Sequence, residues 1–101
     1  MKFIVRKTAR RDLDGIFDWI ARDNPRAARR VISRILSRIS RLAASDLADQ
    51  GRPGLVPGTR EVIERPYVII YSVDKPANAI VVLAVVHNAR DRRSSPTSDE
   101  D

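Results

Sequence analysis

The sequence predicts an α+β fold with an N-terminal strand, an antiparallel helical hairpin and a three-stranded antiparallel meander, the helices packed on one face of the sheet. Apolar residues recur at helical spacing through residues 9–42. From residue 60 onward they form short runs rich in Val, Ile and Tyr, separated by turn residues. The two patterns meet at a Gly- and Pro-rich segment, residues 51–58, where the chain must reverse.

The N-terminal half is expected to contain one strand, at residues 2–6, and two helices. Thr8 is expected to cap the first helix, and Asn24 the second, with Pro25 as the first residue of a helix that continues to about Ala44. The predicted buried faces are Ala9, Leu13, Ile16, Phe17 and Ile20 in the first helix, and Ala28, Val31, Ile32, Ile35, Ile39 and Leu42 in the second. Because very few residues join the helices, they should form an antiparallel hairpin.

The C-terminal half is expected to form the meander, with strands at 60–64, 67–73 and 79–87. The N-terminal strand must pair with this meander, since Phe3 and Val5 otherwise have no core to join. We expect it beside either the last strand or the middle one.

The length of 101 residues is that of a single domain, which we place at residues 1–93, followed by a disordered acidic tail at 94–101. With no cysteine and one histidine, neither a disulfide framework nor a usual zinc site is expected, and we predict no metal and no cofactor. No apolar run approaches the ~20 residues of a membrane span or forms a signal-peptide core, so a cytoplasmic protein is expected.

The charge is concentrated in the first half of the chain. Residues 1–44 carry twelve basic and four acidic side chains, whereas residues 45–101 carry seven and nine, for a net charge of +6 overall. Sixteen of the 19 basic residues are arginine, which pairs with carboxylate or phosphate through a planar fork. This balance indicates an acidic partner, protein or nucleic acid, or else a surface that simply keeps the protein soluble.

Four segments in a fixed order carry a family resemblance: GRPG at 51–54, PGTRE at 57–61, YVIIY at 67–71 and VVHNAR at 85–90. With the predicted element order, they resemble the RelE/ParE toxin superfamily over roughly residues 2–92. These proteins are the toxins of bacterial type II toxin–antitoxin pairs. The glycine-proline segment and the His-Asn-Ala-Arg ending look more like the ParE branch.

Resemblance to ParE implies a non-enzymatic toxin that inhibits DNA gyrase, serves plasmid stabilization and is neutralised by tight one-to-one contact with a ParD-like antitoxin. The alternatives are a RelE-like, metal-independent and ribosome-dependent mRNA endonuclease, or a non-toxic interaction module of the same fold. Whether the protein is an enzyme therefore stays open. No aromatic residue follows Tyr71 to stack an RNA base, which favours a protein that is not an enzyme.

A metal-independent nuclease needs an acid, a base and cations for the phosphate. Under that alternative, His87 would transfer protons, and Arg60, Arg65 and Arg90 would supply the charge. His87 is otherwise a structural residue at the end of a strand. Arg60 either bonds loop carbonyls of its own chain or contacts a partner.

The candidate partner-binding residues are Trp19, Arg30, Arg34, Arg38, Arg41, Arg60, His87 and Arg90. The arginines of the second helix are spaced by four, four and three residues. They form a solvated helix face, contact an acidic antitoxin segment or contact DNA, in that order of preference. Trp19 lies off the apolar face of the first helix, where it either anchors a partner or packs against residues 51–58.

Overall fold

The computed structural model describes residues 1–44 and 51–87. Its elements are β1 (Lys2–Val5), α1 (Lys7–Ala21), α2 (Pro25–Ala44), β2 (Arg52–Pro53), β3 (Arg60–Glu64), β4 (Tyr67–Asp74) and β5 (Ala79–His87). The predicted acidic tail, the domain boundary at residue 93 and the candidate residue Arg90 lie outside the described residues.

The strands form one sheet in the order β1-β5-β4-β3-β2. The predicted antiparallel meander is confirmed as β3, β4 and β5. β1 lies beside the last strand of the meander, to which it is parallel, with Lys2 opposite Ala79 and Val5 opposite Val82. β2 is an addition to the prediction, a two-residue strand antiparallel to β3. β1 and β2 therefore form the two opposite edges of the sheet.

The core lies between the helical hairpin and one face of the sheet. The helices contribute Ala9, Leu13, Ile35, Ile39, Leu42 and Ala43, and the strands contribute Val62, Tyr67, Ile69, Tyr71, Ile80, Val82 and Val85. Both β4 tyrosines are buried on this face, because residues four apart in a strand point to the same side. Each large apolar side chain buried here contributes roughly 1.5–3 kcal/mol to stability.

The prediction for the start of α2 is confirmed. Pro25 is its first residue, and the Asn24 side-chain oxygen accepts a 3.0 Å hydrogen bond from the N–H of Ala27. This bond satisfies one of the N–H groups that the first turn of a helix leaves without a partner. Neither α2 nor any other helix in residues 1–44 and 51–87 is long and apolar enough to cross a membrane.

The prediction that Thr8 caps α1 is wrong. The helix begins at Lys7, and Arg6 occupies the capping position without a side-chain cap. The hydroxyl of Thr8 instead donates a 2.8 Å hydrogen bond to the carbonyl of Leu83 in β5. One turn further along α1, a carboxylate oxygen of Asp12 accepts a 2.9 Å hydrogen bond from the N–H of Val85.

These two bonds are made at an irregularity in the sheet. Ile70 pairs with Ala84 and Tyr71 pairs with Val82, so Leu83 is an extra residue in β5. Such a bulge leaves backbone groups that the ladder does not pair. Thr8 and Asp12 bond backbone groups at and beside this bulge, and they thereby fix α1 against the sheet.

Candidate functional site

The Gly/Pro loop, residues 51–60, is held at its base by the core of the protein. The N–H of Gly51 donates a 3.2 Å hydrogen bond to the hydroxyl of the buried Tyr71. The carbonyl of Gly51 accepts a 2.6 Å bond from the guanidinium of Arg60. A Cβ at position 51 would meet the Tyr71 hydroxyl and would lie 2.8 Å from the carbonyl oxygen of Glu61. Only glycine lets the backbone approach this closely.

Arg60 therefore braces its own loop. This contact is one of the two roles that the sequence suggested for Arg60, a bond to a loop carbonyl of its own chain. Next to it, the carboxylate of Glu61 is only 2% exposed and faces the guanidinium of Arg52 at 3.4 Å. A buried carboxylate requires such a counter-charge, since burial of an unpaired charge is costly. The side chain of Arg52 is itself 52% exposed, so its guanidinium is accessible at the base of the loop while it pairs with Glu61.

The far part of the loop is closed by its own hydrogen bonds. The N–H of Gly54 bonds the carbonyl of Thr59 at 2.8 Å, and the Thr59 hydroxyl bonds the carbonyl of Val56 at 2.6 Å. Gly58 has a φ of 86°, in the left-handed region that favours glycine. Between these bonds, Leu55 and Val56 form what we call the loop tip, and their side chains are 52% and 62% exposed.

Arg34, one of the α2 arginines interpreted as a solvated face, is exposed and also has partners within its own chain. Its guanidinium forms a 3.0 Å ion pair with Glu64 and a 2.6 Å hydrogen bond to the carbonyl of Arg65. These contacts fasten the middle of α2 to the turn between β3 and β4. Arg30 and Arg41 are exposed and Arg38 is half-buried, so they remain candidates for partner contact.

A second surface is an apolar groove beside the β1 edge, which we call the hairpin groove. Its volume is ≈ 580 Å³. Its lining consists of Phe3, Phe17, Arg29, Ile32, Ser33, Leu36, Ser37 and Ser40. The groove therefore combines four apolar side chains with three serines and one cation, Arg29, and α2 contributes no acidic residue to it.

The sequence of α2 contains a second line of apolar residues, which is hard to distinguish from the line that faces the core. Ile32 and Leu36 are four residues apart, on a line offset from the buried Ile35 and Ile39. Ile32 was assigned to the buried face and is half-buried, whereas Leu36 is exposed. The second apolar line lies on the groove side of the helix, beside the line that faces the core.

A third surface, the α1 pocket, brings Trp19 and His87 together. Its volume is ≈ 300 Å³, and its lining consists of Arg11, Asp12, Gly15, Ile16, Trp19, Tyr67, Val85 and His87. Trp19 is 59% exposed, with the guanidinium of Arg22 5.2 Å from its ring. The residues that line this pocket with Trp19 come from α1, β4 and β5 rather than from residues 51–58. His87 meets Tyr67 edge to face, with ring centroids 5.7 Å apart.

The structure separates the residues named for the nuclease alternative. His87 lies opposite Tyr67, which lies opposite Glu64, whereas Arg60 is at the other end of β3. Arg60 and His87 are thus about 13 Å apart along the strands and about 10 Å apart across them. Arg65, in the turn before Tyr67, is at the His87 end. Glu64 is paired with Arg34, and Glu61 is buried against Arg52.

Within the described residues, no group of three or more His, Asp or Glu side chains is placed to hold a metal ion. The loop tip is apolar, the hairpin groove is mainly apolar with Arg29 in its lining, and the α1 pocket combines Trp19 and Tyr67 with Arg11, Asp12 and His87. This composition suits contact with a macromolecule better than capture of a small ion.

Comparisons with known proteins agree with this architecture. A family model described as the ParE toxin of the type II toxin–antitoxin system parDE matches residues 3–92. A candidate toxin of Sinorhizobium fredii, Y4kP, is 36% identical over 77 residues, which are 74% of this chain and 78% of that protein.

Two solved structures are similar over most of the chain. A chain of the chromosomal ParDE toxin–antitoxin system of P. aeruginosa has a TM-score of 0.73 and 28% identity, covering 86% of this chain and 95% of its own. A chain of the RelBE2 toxin–antitoxin complex of Mycobacterium tuberculosis has a TM-score of 0.52 and 26% identity, covering 85% and 95%.

The fold and these similarities define the toxin component of a type II toxin–antitoxin system. Within that class, the chain belongs to the ParE toxin family. The expectation of RelE/ParE kinship, with the ParE branch preferred, is confirmed.

Proposed function

We propose that this protein inhibits DNA gyrase and is neutralised by a ParD-like antitoxin. Membership of the ParE family is the observation that carries the proposal. The described geometry supports a toxin that acts by binding. A proton-transfer site needs its acid, base and cations within hydrogen-bond reach of one substrate, and Arg60 and His87 lie at opposite ends of the strands.

The hairpin groove supports the antitoxin part of the proposal. Its apolar floor, with Phe3 and Leu36 exposed, fits the apolar face of an amphipathic helix. Arg29 in the lining of the groove fits an acidic side chain on the flank of such a helix. We therefore assign the groove to an acidic, amphipathic segment of the antitoxin, which covers apolar surface that this chain leaves exposed.

Two assays run with one preparation test the target. The purified chain is titrated into a supercoiling reaction with gyrase and, separately, into translating ribosomes monitored by toeprinting. Loss of supercoiling with unchanged toeprints supports the proposal. New cleavage positions in the message with normal supercoiling would establish the RelE-like activity instead. If neither assay responds while the chain still binds its antitoxin, the protein is an interaction module.

A further inference from the structure

We propose that the loop tip, Leu55 and Val56, is the surface with which this toxin docks on its target protein, inserting into an apolar pocket that has acidic side chains at its rim. This inference rests on the proposed function in taking gyrase as the target. It goes further in assigning target and antitoxin to separate surfaces of the chain.

The loop tip exposes apolar area that has no role in the core. Leu55 and Val56 are consecutive, both more than half exposed, and absent from the core cluster. A single exposed apolar residue is ordinary. Two adjacent ones in a hydrogen-bonded loop are typical of an interface anchor, because burying them against a partner removes this area from water.

The loop is also held by hydrogen bonds within its own chain. The tip is closed by the bonds of Thr59 to Val56 and of Gly54 to Thr59. The base is fixed by the bonds of Gly51 to Tyr71 and Arg60. Pro53 and Pro57 further restrict the backbone on both sides of the tip. A loop that is ordered before binding loses little conformational entropy when it binds. More of the free energy gained by burying its apolar side chains then contributes to affinity.

The charge near the tip indicates which pocket it fits. Residues 51–61 carry Arg52, Arg60 and one carboxylate, Glu61, which is buried against Arg52, so the loop has a net charge of +1. Acidic side chains around an apolar pocket would therefore meet cations when the tip inserts.

The loop tip and the hairpin groove are on opposite sides of the molecule. The loop joins the edge strand β2 to β3, whereas the groove is lined by Phe3 of the other edge strand, β1. A substitution at one surface should therefore leave binding at the other unchanged. An antitoxin bound in the hairpin groove does not cover the loop tip directly. To neutralise the toxin, the rest of the antitoxin must either reach the loop or block the approach of the target sterically.

The test compares three variants with the parent chain. The first is Leu55→Asp with Val56→Asp, and the second is the uncharged pair Leu55→Ser with Val56→Ser. The control, Lys75→Gln with Ala77→Asp, makes the same change in net charge as the aspartate pair in the exposed turn before β5. Each is measured for thermal unfolding, antitoxin affinity, growth arrest in cells and inhibition of gyrase supercoiling.

Both tip variants are expected to keep their unfolding temperature and antitoxin affinity, and to lose growth arrest, with affinity for the target reduced about tenfold to a hundredfold. The control should behave as the parent. Tip variants that arrest growth like the parent overturn the inference, as do variants that lose antitoxin binding while folded. A parent that arrests growth without affecting gyrase, together with inactive tip variants, overturns gyrase as the target and keeps the docking role of the tip. A parent that does not arrest growth overturns both.

Discussion

The hydroxyl of Tyr71 accepts a 3.2 Å hydrogen bond from the N–H of Gly51, twenty residues earlier in the chain. Tyr71 is fully buried among the core residues of β4, and Gly51 begins the Gly/Pro loop. One bond thus connects the hydrophobic core with the segment to which we assign target binding, and the position of the loop depends on the packing of the sheet.

Gly51→Ala should lower the free energy of unfolding by about 1–3 kcal/mol, because the new methyl group meets the Tyr71 hydroxyl and the Glu61 carbonyl. Gly15→Ala is the matched control. It lies inside α1 with nothing within 4 Å of an added Cβ, so it should raise stability by about 0.5–1 kcal/mol. Urea unfolding measures both. Equal effects of the two substitutions would show that the loop base is not closely packed.

Asp12→Ala should destabilise the protein by about 1–3 kcal/mol, since it removes the acceptor for the N–H of Val85 beside the β5 bulge. Asp14→Ala removes the same charge from an exposed position of α1 and should change stability by less than about 0.5 kcal/mol. Hydrogen exchange of the Val85 amide gives a local readout and should accelerate only in the Asp12 variant. Slow exchange in both would contradict the contact.

Arg34→Ala should cost about 1 kcal/mol, because both its ion pair with Glu64 and its bond to the Arg65 carbonyl are lost. The value is modest since the two charged side chains are 48% and 21% exposed. Arg30→Ala, on the exposed part of the same helix, serves as the control and should have no measurable effect on thermal unfolding. The difference between the two variants should shrink at high salt, which screens the ion pair.

Leu36→Ala should weaken antitoxin binding about tenfold, because it removes apolar area from the floor of the hairpin groove. Leu55→Ala makes the same truncation at the loop tip and should leave antitoxin affinity unchanged. Calorimetric titration of each folded variant with the antitoxin distinguishes them. If the Leu55 variant is the weaker binder, the antitoxin occupies the loop rather than the groove.

His87→Ala tests the enzymatic alternative. A nuclease that uses His87 for proton transfer would lose roughly 10²–10⁴ in cleavage rate. The gyrase inhibitor proposed here should keep its activity, with a loss of stability of about 0.5–1.5 kcal/mol from the edge-to-face contact with Tyr67. Supercoiling and toeprinting of the purified variant measure the two effects. A variant that is folded but no longer affects gyrase would place His87 in the binding surface.

The elements with strong local signals were predictable from the sequence. Asn24 and Pro25 carry their own capping chemistry, so the start of α2 is determined within a few residues of the chain. The strands 60–64 and 79–87 follow from their β-branched composition and were placed at their observed bounds. β2 was not predicted because two residues are too few to show the alternation of apolar and polar side chains that marks a strand. It is defined only by its pairing with β3.

The misses share a physical cause, which is that partners distant in sequence decided the outcome. Thr8 is a good capping residue locally, yet the carbonyl of Leu83 is its actual partner. Arg34 follows Arg30 by four residues in α2, and the β3–β4 turn supplies it with two partners, Glu64 and the carbonyl of Arg65. For the candidate site, the sequence indicated basic partner-binding surfaces, whereas the hairpin groove and the exposed loop tip required the packing of the whole chain.

Direct binding to gyrase is the measurement that tests the central claim most closely. The purified chain is mixed with purified gyrase at micromolar concentration, and the mixture is resolved by size-exclusion chromatography with light scattering. We predict that the chain elutes with gyrase and that the Leu55→Asp, Val56→Asp variant elutes alone. Elution of the parent chain by itself, while its complex with the antitoxin remains intact in a parallel run, would contradict the proposed function.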